Sequence, residues 1–479
     1  MQADAQGAAG RHGQPERSVD EPASRPDHSA ARVSPSGAAY TRRPVRASGF
    51  IGTLSMEKKK ANGFAERLGP GLITGAADDD PSGIATYSQA GSQFRFGLVW
   101  TLLLTTPLMI GIQMLSARIG WVTGEGLAAN IAKVCPRWLT MVLVGLLVVA
   151  NTINIAADIG AMAEAARLLA GGGQLIYILL FGTACIAAQL WFSYERTVRI
   201  LKWLTFVLFA YVAVVMVVQV PWRQAFEESM SPWKHFPAGV SQGDYASMVV
   251  AVLGTTISPY LFFWQASQEA EDKYRRPEAA SLRSHAAYAA EHLARIKLDT
   301  FVGMLLSNAV ALCIVVATAV TLNQHGITTI QTAAQAAEAL RPVAGEFAFA
   351  VFALGIVGTG LLAVPVLAGS AAYAVSEVFG WKAGLSRGFH EARGFYLIIV
   401  AATGIGTIMS LLEFDPMKAL VWSAVVNGVI SVPIMVVMMW IGQSRRIMGE
   451  LTMSVRHRCF GWAATGVMAA AVLMMFATG

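Results

Sequence analysis

GPGLITGAADDDPSGIATYSQAG, residues 69–91, decides how the rest of the chain is read. An apolar half from Gly71 runs into Asp78-Asp79-Asp80-Pro81-Ser82-Gly83, and a second half resumes at Ile84. Pro81 removes a backbone donor and Gly83 relaxes the chain, so a helix breaks here. Flanking apolar sequence on both sides puts the three carboxylates deep in an apolar phase. Acids there are costly unless paired or ion-bound, and the freed carbonyls need protein, water or an ion as partner. The plain alternative is a proline kink with its acids at a helix end in water.

Outward from this stretch the chain is apolar almost throughout. Of 479 residues, 55% are hydrophobic and only 14% charged, with a mean hydropathy of +0.51. Soluble domains carry about 25% charged residues, so a water-soluble globule is excluded. A bilayer core of about 30 Å needs ~20 apolar residues per helix. Eleven runs qualify and are numbered as spans 1–11: 68–92, 97–119, 138–169, 174–193, 200–220, 246–268, 299–321, 346–375, 394–412, 416–442 and 459–476. No ten-residue alternation marks a β-barrel. The fold class is an all-α polytopic membrane protein.

Lys and Arg orient it. With a cytoplasmic N-terminus, 30 of the 36 basic residues fall on the cytoplasmic side. The net charge of +6 follows from this bias and does not point to nucleic acid. Residues 1–55, rich in Ala, Ser, Pro and Arg, read as a disordered cytoplasmic tail. Met56 opens a compact basic start before span 1, so two readings stand: translation begins there, or the tail is a native appendage. The short loops and missing secretory signal fit a bacterial inner membrane.

Span 6 repeats the break of span 1. Gly254, Thr255, Thr256, Ser258 and Pro259 interrupt an apolar run. Interrupted helices at matching places in two halves point to an inverted-repeat transporter with its site at the midplane. The expected division is 56–245 for the first repeat (spans 1–5), 246–442 for the second (spans 6–10), and 443–479 for a loop and span 11. In span 3, Asn151, Asn154 and Asp158 share one helix face and mark a polar path or interhelical contact. All eight histidines lie outside the eleven runs, and the four cysteines have no metal-ligand spacing. P-loop, nucleophile-elbow and HExxH motifs are missing, which speaks against an enzyme.

These residues resemble the Nramp family of divalent-metal transporters. Gly69-Pro70-Gly71, Asp80-Pro81-Ser82-Gly83 and Ile84-Ala85-Thr86-Tyr87-Ser88-Gln89-Ala90-Gly91 follow its first helix without a gap. ARIGWVTGEGLA at 117–128, MGELT at 448–452 and Gly461-Trp462 match further stretches, so the likeness spans about 68–476. It implies a LeuT-like fold of two inverted five-helix repeats plus an extra helix. It also implies a cation bound at the helix breaks and no resident cofactor, the metal being cargo. Expected partners are the ion and the lipid bilayer; the sequence names no protein partner.

The departures carry information. Gly83 stands where the family has a coordinating Asn. The family's M-P-H-N-x-x-x-H falls on Ser258, Pro259, Tyr260, Leu261 and Gln265, so the thioether and both histidines are gone. Asp158 matches the acid of the proton path, but the acid three positions on is Ala161. Oxygen donors favour Mg²⁺, Ca²⁺ or Mn²⁺ over softer ions, and the chain resembles the Nramp-related magnesium branch. The expected ligands are Asp80, Ser258 and the carbonyls of Ala77 and Thr255, with Asp78 or Asp79 adding charge. Asp158, Asn151, Asn154, Tyr260 and Gln265 form the expected polar path. Two other functions compete: transport of an organic cation over Tyr260, Phe262, Phe263 and Trp264, or a sensor or scaffold that transports nothing.

Overall fold

A computed structural model describes residues 69–191, 206–231, 239–275, 286–412 and 415–478, and among them there is no β-strand. The expected tail 1–55 and the start of span 5 lie outside the described residues. Span 1 is two helices, α1 (Pro70–Asp78) and α2 (Pro81–Phe94). Then come α3 (Val99–Thr123), the short α4 (Leu127–Val134), α5 (Arg137–Ala170) and α6 (Gln174–Trp191), followed by α7 (Phe209–Val217) and α8 (Trp222–Met230). Span 6 is also two helices, α9 (Gln242–Thr256) and α10 (Pro259–Arg275). The chain continues through α11 (Ala286–Thr321), α12 (Ala348–Phe379), α13 (Arg393–Met409), α14 (Pro416–Gln443) and α15 (Val455–Thr478).

Among the described residues eight helical stretches are long and apolar enough to cross a membrane, or nine if the pair Phe206–Val217 and Trp222–Met230, bent by 109°, is one span. The expected eleven is not reached on this measure. Span 1 is cut by its acids into helices of 9 and 14 residues, and α13 has only 17. Span 9 thus exists as a short helix. Leu175, Ile176, Leu179 and Leu180 of α6 and Leu473 and Phe476 of α15 are exposed, as on a face turned to lipid. The bundle is an all-α polytopic membrane protein.

Span 1 is fixed from α11. Asp299 of α11 accepts hydrogen bonds from the backbone N–H of Gly69, Gly71 and Leu72 at 2.9, 2.7 and 3.0 Å. These are the otherwise unpaired donors of a helix start, and a carboxylate suits the positive end of its dipole. Arg295, one turn earlier on α11, binds Glu269 and Asp272 of α10 at 3.0 and 3.1 Å.

Glycines then bring backbones together. A Cβ on Gly75 of α1 would lie 2.3 Å from the Gly303 carbonyl oxygen of α11, and one on Gly91 of α2 would lie 2.2 Å from that of Val315. Both halves of span 1 therefore press on the same helix. Span 6 differs: Gly254 of α9 meets Ala424 and Gly428 of α14, whereas α10 is met at Ala266 by Gly120 of α3. Such small-residue contacts are how membrane helices approach closely.

Candidate functional site

The site grows from the break after Asp78. Asp80 caps α2, with Oδ1 accepting from the Gly83 N–H at 2.7 Å and from the Ser82 hydroxyl at 2.8 Å. Pro81 follows as the first helical residue, where its missing N–H costs nothing. Asp80 Oδ2 accepts from the Asn154 amide of α5 at 3.0 Å and lies 3.4 Å from the Tyr260 hydroxyl of α10. That hydroxyl donates to the Ala77 carbonyl at 3.0 Å. Ala77, Asp80, Asn154 and Tyr260 are thus brought together by both breaks and α5.

Gly83 shows why the two breaks touch. A Cβ there would be 3.2 Å from both Thr255 Oγ1 and the Asp78 carbonyl oxygen. The Ser258 hydroxyl, between α9 and Pro259, donates back to the Gly254 and Thr255 carbonyls at 2.7 and 2.9 Å. It thereby covers open carbonyls at the C-terminal end of α9.

Asp78 and Asp79 turn the other way. Ser307 of α11 donates to Asp78 Oδ2 at 2.7 Å and reaches Asp79 Oδ1 at 3.2 Å. Asp158 of α5 is wholly buried, feels the Asp80 charge and the Ser82 backbone N–H, and has no hydrogen-bond partner at either oxygen. Asp78 Oδ1 and Asn154 Oδ1 are also buried without a partner. Asp78, Asp79, Asp80 and Asp158 are at most 6% exposed, and among the described residues none is in an ion pair. Buried carboxylates without counter-charge are strongly unfavourable, so the cluster calls for cations or protons.

Two expected path residues sit elsewhere. Asn151 donates to the Leu367 carbonyl at 2.9 Å and to Ser370 at 2.7 Å, which ties α5 to α12. Gln265 lies between Gln113 of α3 (2.6 Å) and Thr300 of α11 (2.8 Å). Among the described residues no three His, Cys, Asp or Glu side chains gather as a metal centre. The acids diverge toward α11 on one side and toward α5 and α10 on the other, so a cation here would take mixed donors. Sequence reading missed Ser307, and also Tyr87, which is fully buried beside Asp78, Asp79, Asp80 and Thr255. The polar pair Ser307-Asn308 inside apolar span 7 was the available signal.

Residues 71–478 match the family described as natural resistance-associated macrophage protein-like, or Nramp. The chain is 27% identical over 350 residues to the divalent metal cation transporter MntH of Aeromonas hydrophila, covering 71% of this chain and 80% of that protein. It is 25% identical over 408 residues to MntH of Klebsiella pneumoniae, covering 84% and 91%. Its fold is similar to the manganese transporter of Eremococcus coleocola, with a TM-score of 0.67, 17% identity and 85% of each chain covered. It is also similar to MhsT in complex with L-phenylalanine, with a TM-score of 0.56, 14% identity and 85% and 98% covered.

Proposed function

This chain belongs to the Nramp family, and from that premise we propose that it carries a divalent metal cation, Mg²⁺ or Mn²⁺ favoured, across the membrane by alternating access. One observation carries the reading: four buried carboxylates, without an ion pair among the described residues, surround the break of span 1, where span 6 also breaks. A divalent cation supplies the missing charge. Asp80 is the central ligand, with the Ala77 and Thr255 carbonyls and Ser258 beside it, and Asp78 and Asp79 add charge from the Ser307 side. All these donors are oxygen, which suits a hard, partly hydrated ion. The relatives named above are described as divalent metal cation transporters, which supports a transport role over an enzymatic one.

In this reading the protein has eleven spans with a cytoplasmic N-terminus in a bacterial inner membrane. Spans 1–5 and 6–10 are inverted repeats. The packing supports that pairing: span 1 meets span 7 backbone to backbone at Gly75 and Gly303, and span 6 meets α3, the helix of span 2, at Ala266 and Gly120. Transport is facilitative or secondary-active. The organic-cation reading draws less support, because Trp264 packs edge-on to Tyr373 and against Gly369.

Uptake by proteoliposomes of Mg²⁺, Mn²⁺, Ca²⁺ and spermidine, side by side, tests the proposal. Saturable entry of Mg²⁺ or Mn²⁺ is expected. Entry of spermidine alone would support the organic-cation function, and entry of nothing would support a sensor.

A further inference from the structure

A second site lies on the outside of the bundle, far along the chain from the breaks. A cavity of about 210 Å³ opens between α3, α11 and α15. Its floor is apolar, with Met114, Leu115 and Met453, and its polar lining is two cations, Arg118 and Lys297, with the imidazole of His457. Among the described residues no carboxylate lines it, and neither Arg118 nor Lys297 is in an ion pair. Arg118 is held in place by the carbonyls of Leu451 and Thr452, both at 3.0 Å, through Nε and Nη2, which leaves Nη1 over. One His457 nitrogen meets the Ser454 hydroxyl at 2.7 Å, which leaves Nε2. Burial and the neighbouring charges of Arg118 and Lys297 favour the neutral imidazole of His457, so the positive field is that of Arg118 and Lys297 and His457 adds a hydrogen-bonding ring.

Their depth is informative. Arg118 falls one residue before the end of span 2, Lys297 two before the start of span 7, and His457 two before the start of span 11. All three therefore sit at the edge of the apolar layer, at headgroup level. Beside them Phe301 and Leu305 of α11 and Phe460 of α15 are exposed apolar side chains. Basic pockets between membrane helices at this level bind anionic headgroups. The apolar floor and flanks favour a ligand with acyl chains over a free anion.

We propose that this cavity binds the phosphate headgroup of an anionic phospholipid, its chains lying along α11 and α15. The full chain, purified in detergent, is titrated with short-chain phosphatidylglycerol, the matching phosphatidylcholine and inorganic phosphate, with bound lipid read by native mass spectrometry. Phosphatidylglycerol is expected to bind about tenfold more tightly than phosphatidylcholine. The double variant Lys297→Gln/His457→Gln is expected to lose about fivefold or more of that affinity. Lys382→Gln/Arg387→Gln, on another basic loop, is expected to keep it. Equal binding of the two lipids in the unaltered protein would overturn the proposal, whatever the variants do. So would inorganic phosphate binding as tightly as the lipid, or a double variant that binds like the unaltered chain.

Discussion

At Asp80 the carboxylate is shared among Ser82, Gly83, Asn154 and Tyr260, donors from three helices. Asp80→Asn keeps the shape but removes the charge, so uptake is expected to fall to background while the protein elutes as before from a sizing column. Half the original rate or more would take Asp80 out of the site. Ser258→Met is expected to raise the preference for Mn²⁺ over Mg²⁺, because it introduces a softer donor. Competition of each ion against the other's uptake measures this, and an unchanged ratio would show that position 258 does not face the ion. Asp80, Pro81 and Pro259 were legible as sequence because charge and proline are rare inside apolar runs. Ser307 was not, even with Asn308 beside it, since a serine in a membrane helix usually bonds to its own backbone, as Ser431 does here. Which partner it finds depends on a neighbouring helix that no spacing within span 7 reveals.

At the scale of elements, both broken helices follow from residues that interrupt an apolar run, and the structure has them where the acids and prolines fall. The span count was less legible, because hydropathy reads through a break that hydrogen bonding does not. The close approach of α1 to α11 was hidden as well: glycine is common in membrane helices whether or not a backbone faces it. Gly75→Val tests that contact. Its Cβ would lie 2.3 Å from the Gly303 carbonyl oxygen, and overpacking of this kind costs about 1–3 kcal/mol. The melting temperature in detergent is expected to drop by several degrees. Gly145→Ala on α5, which faces nothing within 4 Å, is expected to leave it unchanged or slightly raised. Equal behaviour of the two variants would deny the contact its structural weight.

For the molecule as a whole, Asp158 is the one acid of the expected proton path that the sequence retains, and it lies buried beside Asp80. Gln265 binds Gln113 and Thr300, and an amide does not readily titrate, so little remains to relay a proton. The cargo is expected to follow its own electrochemical gradient. An internal pH dye in proteoliposomes should show no acidification in step with metal entry, and stoichiometric acidification lost in Asp158→Asn would reverse that expectation. The glycine contacts add a mechanical consequence. Span 1 is splinted, for α1 and α2 are both fastened to α11, one on each side of the break. Bending at Asp79 would have to drag α11 along. Span 6 is held differently: α9 meets α14 at Gly254 and α10 meets α3 at Ala266, while α3 reaches back to α9 through the side-chain bond from Trp100 to Tyr245. Of two breaks that look alike in sequence, one is therefore clamped backbone to backbone along a single helix, and the other is gripped by two helices.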